Sequence, residues 1–263
     1  MTSIGNEAVK PLKIVVLNPK GGSGKTTIAT NLAAYFAQAG HRTVLLDFDS
    51  QGSSTRWLSK RPEERPAIHG VAMYESHVGV TRSFATRVPA DTQMVIVDTP
   101  AALAKYDFVD MTRGADKILI PVLPSDIDIH AATRCIADLL LIAKIPRNEN
   151  RLAIVASRVK RNTIVFRSLM RFLDSLDIPV AAVLRDSQNY IRASERGLGV
   201  HELVKSRAKP ELEHWQSLVA WLLEPSSRVV PDELFSLVGA PSDTNEPAAA
   251  SHPTDPATEP SRF

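Results

Sequence analysis

The chain has 263 residues, of which 44% are hydrophobic and 23% charged, with a formal net charge of +2. That length suffices for one large α/β domain with a full core, and the composition is ordinary for a globular protein. No run approaches the ~20 apolar residues of a membrane span and the N-terminus has no signal-peptide apolar core, so the cytoplasm is the expected compartment. Residues 1–10 read as a flexible lead-in, with no room for an added winged-helix domain. Strand-like and helical runs then alternate: strand Leu12–Asn18, helix Lys25–Ala39 and strand Thr43–Asp49. Gly52–Val88 is irregular and carries no assignment. Further strands are expected at Met94–Asp98, Lys117–Val122, Leu152–Ser157 and Val180–Leu184, with helices near Asp128–Ala143 and Thr163–Leu176. Several strands are continuous Val/Ile/Leu runs rather than alternations, the pattern of a parallel sheet covered on both faces. The fold class is therefore α/β: a doubly wound, mostly parallel sheet with ligands at the carboxyl ends of its strands.

Glu211–Glu224 is a final amphipathic helix anchored by Trp215 and Trp221. Residues 11–224 thus form the expected domain. Residues 225–263 hold seven prolines and read as a disordered acidic tail, with a short helix over Pro231–Val238. The tail carries Arg228 and Arg262 against Asp232, Glu233, Asp243, Glu246, Asp255 and Glu259, a net of −4, which leaves +6 on the remainder. A basic body of this kind is compatible with a polyanionic partner. Cys135 is the only cysteine, so no internal disulfide can form; it lies in an apolar helical stretch and packs as a small hydrophobe.

The octet Lys20-Gly21-Gly22-Ser23-Gly24-Lys25-Thr26-Thr27 lies between the first strand and the first helix. Glycines let the main chain curl so that its N–H groups converge on phosphates, and the helix start adds its positive end. Lys25 supplies a point charge and Thr26 a hydroxyl for Mg²⁺. The usual G-x-x-x-x-G-K-[ST] spacing would place glycine at position 19; this chain has Pro19 there and a second lysine, Lys20, beside it. Two other strands end in carboxylates. One reaches Asp47-Phe48-Asp49-Ser50-Gln51-Gly52, and the other reaches Asp98-Thr99-Pro100-Ala101.

The loop resembles the deviant Walker A motif of the ParA/MinD family of ATPases. That resemblance implies ATP and Mg²⁺ as cofactors and a homodimer in the ATP state, in which Lys20 reaches the phosphates held by the other subunit. It makes Asp49 the switch-I carboxylate that positions the attacking water, and Asp47 either an outer-sphere Mg²⁺ partner or a group that holds the loop. Asp98 becomes the Walker B carboxylate. The chain departs from the family pattern at Ser50 and at Ala101, where proline is common. Pro121-Val122-Leu123-Pro124-Ser125-Asp126-Ile127-Asp128 is similar to the P-V-x-P-S-x-x-D stretch of small ParA proteins. The run from Arg185 through Tyr190, Ala193 and Gly197 to Val200 is similar to their tail element. By the same likeness, Ser157–Arg158 or Pro124–Ser125 would lie near the adenine.

Between Ser157 and Phe172 stand five basic residues, Arg158, Lys160, Arg161, Arg167 and Arg171, and no acidic one; Arg185, Arg192 and Arg196 follow. No recognition-helix or zinc-ligand pattern accompanies them, so contact with DNA would be to phosphates and indifferent to sequence. The alternative is a solvated face. The resemblance favours nonspecific DNA, a nucleoid location, a stimulating adaptor or centromere-binding protein, and a cargo such as a plasmid, a chromosome locus or a protein organelle. Rival readings are a MinD-like division-site regulator and an ATP-dependent ligase of the dethiobiotin-synthetase class. The first needs a basic amphipathic C-terminal helix where this chain is acidic, so no membrane partner is expected. An iron–sulfur reductase would need more cysteines, and a tyrosine kinase of this superfamily would need a terminal tyrosine cluster, whereas the last tyrosine is Tyr190.

Overall fold

Seven strands, all parallel, build the sheet of the computed structural model, which describes residues 10–75 and 88–226. They are β1 (Leu12–Val16), β2 (Thr43–Asp47), β3 (Ile68–Ala72), β4 (Met94–Asp98), β5 (Lys117–Val122), β6 (Leu152–Val159) and β7 (Val180–Arg185). Their spatial order is β3-β2-β4-β1-β5-β6-β7. The described residues fall in a compact unit, Met1–Arg228; the second unit, Val229–Phe263, lies outside them. So do the expected lead-in, most of the expected tail and the expected helix over Pro231–Val238.

Alternate residues of each central strand feed two cores. Ile14, Val16, Leu45, Ile96, Leu119 and Val155 face one side. Val15, Val44, Val95, Val97, Ile118, Ile120 and Ile154 face the other. Such two-sided burial is why these strands read as unbroken apolar runs. The first core is closed by α1 (Lys25–Gln38) and by α7 (Lys205–Leu223) with Trp215 and Trp221. The second is closed by α3 (Lys105–Thr112), α4 (Asp126–Leu141) and α5 (Ile164–Asp174) through Phe108, Ile136, Leu139, Leu169 and Leu173. Cys135 is fully buried there, and desolvation pushes its thiol well above the usual range, so it is inert packing.

Local chemistry sets the helix starts. Ser125 accepts from the N–H of Asp128 at 3.2 Å and Thr163 from that of Phe166 at 3.2 Å, each satisfying an otherwise orphaned donor. Asp126 and Asp128 sit in the first turn of α4, where the helix end is positive.

Several boundaries differ from expectation. β1 stops at Val16 and β2 at Asp47, because the chain leaves the ladder to form phosphate-facing loops. The final helix begins at Lys205 and carries Pro210 within it. The unassigned stretch contains α2 (Ser53–Leu58) and β3, an edge strand exposed at His69 and Gly70 and therefore without a strong apolar pattern. Residues 76–87 of that stretch lie outside the described residues. The short helix α6 (Gln188–Ser194), capped by Ser187, also carried no assignment.

Candidate nucleotide site

Register brings the key carboxylates together. Asp47 and Asp98 end the adjacent strands β2 and β4 as direct Cα partners, and Asp98 also aligns with Val16, the last residue of β1. The loop leaving β1 therefore starts beside both. Gly22 and Gly24 have φ of 76° and 100°, left-handed values that an L side chain resists, so the loop curls and α1 starts at Lys25. Asn18 stitches the loop in place. Its amide donates to the Pro121 carbonyl at 2.7 Å while its oxygen accepts from the N–H of Lys20 at 2.8 Å.

Lys25 is 6% exposed and its Nζ donates to the Lys20 carbonyl at 3.1 Å. Burial lowers its pKa, while Asp98 and Asp49 act in the opposite sense. Asp98 is fully buried. Its Oδ2 accepts from the Ser54 hydroxyl at 2.6 Å, and Thr26 adds a side-chain hydrogen bond to the carboxylate. Burial nevertheless raises its pKa to about 6. Asp98 Oδ1 has no hydrogen-bond partner among the described residues, nor do the buried Ser23 Oγ and Asp128 Oδ1 nearby. Orphaned buried oxygens are costly unless something binds them.

An oxygen-seeking divalent cation fits this donor set. Asp98 Oδ1 and the Thr26 hydroxyl would hold Mg²⁺, with other ligands from water and phosphate. Among the described residues no cluster of three or more His, Cys, Asp or Glu could hold a metal by itself.

Asp47 does structural work. Its Oδ2 accepts from both the N–H and the hydroxyl of Thr55 at 2.9 Å, and its Oδ1 accepts from the Asp49 N–H at 3.1 Å. It thus fixes the start of α2 and the loop bearing Asp49, favouring the loop-holding alternative for its role. Asp49 is half-buried and lines a cavity of about 300 Å³ with Gly22, Gly24, Lys25, Thr26 and Ala101. Ala102 beyond it adopts φ 57°. A second cavity of about 250 Å³ shares Gly24, Thr27 and Arg158 with the first and continues along Ser157, Leu184, Tyr190 and Ile191. Its mostly apolar wall beside the phosphate loop has the character of a base pocket.

Lys20 does not extend into solvent. Its Nζ meets Asp128 Oδ2 at 2.6 Å, and the Ser125 hydroxyl contacts the same oxygen. Asp128 stands in the P-V-x-P-S-x-x-D stretch, which gives it no role of its own, and Ser54 belongs to none of the motifs above. An aspartate three residues after a serine that starts a helix was the signal available for Asp128. Ser54 had none, because α2 itself went unread. Ser54→Ala is expected to raise the Mg²⁺ concentration for half-maximal nucleotide binding by about fivefold, the value of one hydrogen bond; a Mg²⁺ titration with a fluorescent nucleotide measures it.

Lys160, Arg161 and Arg185 line one cavity of about 440 Å³ with Asp186 and His214, apart from the arginines of α5 and α6. Arg158 lines both nucleotide cavities and lies 3.6 Å from Asp186, with Lys160 at 4.0 Å from the same carboxylate. Arg185 lies 3.7 Å from Glu211, and Arg161 contacts His214 at 3.1 Å. Arg167 and Arg171 are exposed on α5, and Arg192 is exposed on α6.

A parallel sheet with a glycine-rich loop between β1 and α1, and aspartates ending β2 and β4, defines the P-loop class of nucleotide-binding folds. Residues 14–200 match the CobQ/CobB/MinD/ParA nucleotide binding domain, and the chain belongs to that family. It is 31% identical over 195 residues to the maintenance of carboxysome distribution protein A of Halothiobacillus neapolitanus, covering 74% of this chain and 88% of that one. Its fold matches the ATP complex of a McdA variant from Cyanothece with a TM-score of 0.62 at 16% identity, over 80% of this chain and 96% of the other. It likewise matches a chain of the MinC:MinD cell division protein complex of Aquifex aeolicus, with a TM-score of 0.63 at 18% identity over 82% and 98% of the two chains. The expected family and the α/β fold class are both borne out.

Proposed function

We propose that this protein is an ATPase of the ParA type that dimerises around ATP and Mg²⁺, holds nonspecific DNA in that state, and positions a cargo on the nucleoid. The observation that supports it best is the convergence of Lys25, Thr26 and Asp49 on one cavity, with the buried, half-satisfied Asp98 hydrogen-bonded to Thr26 behind it at the end of β4. Phosphoryl transfer to water asks little covalent work of a protein, so placement and charge neutralisation carry it. Lys25 and the loop N–H groups of Gly22 to Thr26 neutralise phosphate charge. Asp98 and Thr26 hold the cation, and Asp49 orients the attacking water. Lys20 completes the partner's site once it exchanges Asp128 for the partner's phosphates. The lysine is one-third exposed but Asp128 only 3%, so the exchange strands a buried carboxylate and must be offset by the partner's phosphates.

A stimulating adaptor or centromere-binding protein would trigger hydrolysis and release. The likeness to a carboxysome distribution protein makes a protein organelle one cargo to test alongside plasmids and chromosomes. The compartment in this reading is the cytoplasm; among the described residues no helix is long and apolar enough to cross a membrane. The test is light scattering with Mg²⁺-ATP on hydrolysis-blocked Asp49→Ala protein, with and without Lys20→Ala, followed by retention on nonspecific DNA. The expected result is a dimer that retains DNA and a Lys20→Ala form that stays monomeric. An Asp49→Ala protein that remains monomeric with bound ATP rules the cycle out.

A further inference from the structure

Charge pairing divides the basic residues of this chain into two groups. Arg158, Lys160, Arg161 and Arg185 each lie against Asp186, Glu211 or His214. The guanidinium groups of Arg192 and Arg196 make no hydrogen bond or ion pair among the described residues, and both residues are exposed. They stand four apart, on α6 and the turn after it, and so project to one side. Both line a groove of about 670 Å³, and Arg65, from the 59–67 connection, lines it with them. Arg65 lies far from the basic run in the sequence.

The acids of this groove do little to cancel three guanidinium groups. Glu202 is occupied: both its oxygens take the Arg61 fork, at 2.9 and 2.7 Å, and Oε2 also accepts from the Gly199 N–H at 2.9 Å. Only Glu195 remains on the rim. Guanidinium forks match phosphate oxygens in geometry as well as charge. The lining contains no aromatic side chain on which a base could stack. A ligand gripped here offers a line of phosphates rather than unstacked bases, which describes duplex DNA read without regard to sequence. The face of α5 differs, since Arg167 and Arg171 share it with Ile164, 75% exposed.

The groove floor is tied to both helices that leave the nucleotide site. Val200 N–H donates to Asn31 of α1 at 2.7 Å, and the Trp57 indole of α2 donates to the Leu198 carbonyl at 3.3 Å. Helix α2 begins directly after the Asp49 loop, and Arg61 follows it. A shift of that loop therefore pulls on the floor between the arginines.

We infer that the groove formed by Arg65, Arg192 and Arg196 is where this chain grips the phosphate backbone of duplex DNA, and that the Gly197–Leu203 segment brings it under control of the bound nucleotide. This rests on the DNA reading of the proposed function. The test is fluorescence anisotropy of a labelled mixed-sequence duplex over a salt series, with Mg²⁺-ATP and with ADP. The proteins compared are wild type, Arg65→Gln, Arg192→Ala/Arg196→Ala and Arg167→Ala/Arg171→Ala.

The groove double variant is expected to bind at least about tenfold more weakly, with a salt slope lower by about two. Arg65→Gln should lower the slope by about one, and hydrolysis without DNA should be unchanged in both. Full binding by the groove variants alongside loss in the α5 variant overturns the inference and leaves the partition reading standing. Equal affinity of wild type for DNA with ATP and with ADP overturns the nucleotide control. Wild type that binds no duplex in either state overturns the partition reading itself.

Discussion

Asp98→Asn is expected to stabilise the ligand-free protein at pH 7.5 while cutting Mg²⁺-dependent ATP hydrolysis by about a thousandfold or more. The two effects have one origin. Burial raises the Asp98 carboxyl from 3.8 to about 6, with Asp47 adding to the rise and the Ser54 and Thr26 hydrogen bonds and Lys25 opposing it. A carboxyl whose folded pKa lies above its unfolded one contributes most below the unfolded value. That contribution is lost as pH rises through about 6, because the folded state must then hold a buried charge. At about 1.4 kcal/mol per pH unit of separation, the ionised carboxylate costs up to about 3 kcal/mol at pH 7.5. Asparagine removes the charge and keeps an acceptor for Ser54.

Urea denaturation between pH 4 and 8 measures the effect. The gain should be small near pH 4 and should grow to a plateau above about pH 6.5. His201, pushed down to about 4 by burial, has the opposite slope; subtracting wild type from variant cancels it. A variant less stable than wild type at pH 7.5 would show that Asp98 is not strained by its burial. The same carboxylate that weakens the empty protein gives a cation its seat, an exchange of stability for function common at charged sites.

Legibility in the sequence followed the strength of local chemistry. The phosphate loop and Asp98 were readable because glycine, lysine and a strand-ending aspartate each have one job at that spacing. The central strands were readable because burial on both faces leaves unbroken apolar runs. α2 and β3 were not: Ser53–Leu58 is a six-residue helix started by Asp47 from outside it, and Ile68–Ala72 is an edge strand with little apolar face. What hides α2 also hides Ser54 and Arg61, whose partners lie 44 and 141 positions away. The basic residues are arranged in a way that sequence order does not show. Proximity in sequence grouped Arg158 with Arg171, whereas folding placed Arg158 at the nucleotide cavities and brought Arg65 beside Arg192.

Arg61→Ala is expected to cost roughly 3–5 kcal/mol of stability, the range for removing one partner of a buried ion pair. Arg61 and Glu202 side chains are 4% and 0% exposed, and Nη1 and Nη2 each meet one carboxylate oxygen. Nη1 also reaches the Gly197 carbonyl at 3.2 Å. Without the guanidinium, Glu202 keeps only the Gly199 N–H for a fully buried charge. The two backbones also pack closely here, since a Cβ on Gly197 would lie 2.4 Å from the main-chain nitrogen of Arg61. For a domain of this size the loss corresponds to a fall in Tm of roughly 10 °C.

The exposed pair Arg42–Asp91, at 59% and 64%, supplies the contrast: Arg42→Ala should change stability by less than about 1 kcal/mol. Arg61→Leu combined with Glu202→Gln removes both charges and retains an acceptor for Gly199, so it should recover much of the loss. Recovery would locate the cost in the stranded carboxylate. Failure to recover would locate it in the hydrogen bonds by which Arg61 joins the connection after α2 to the turn after α6.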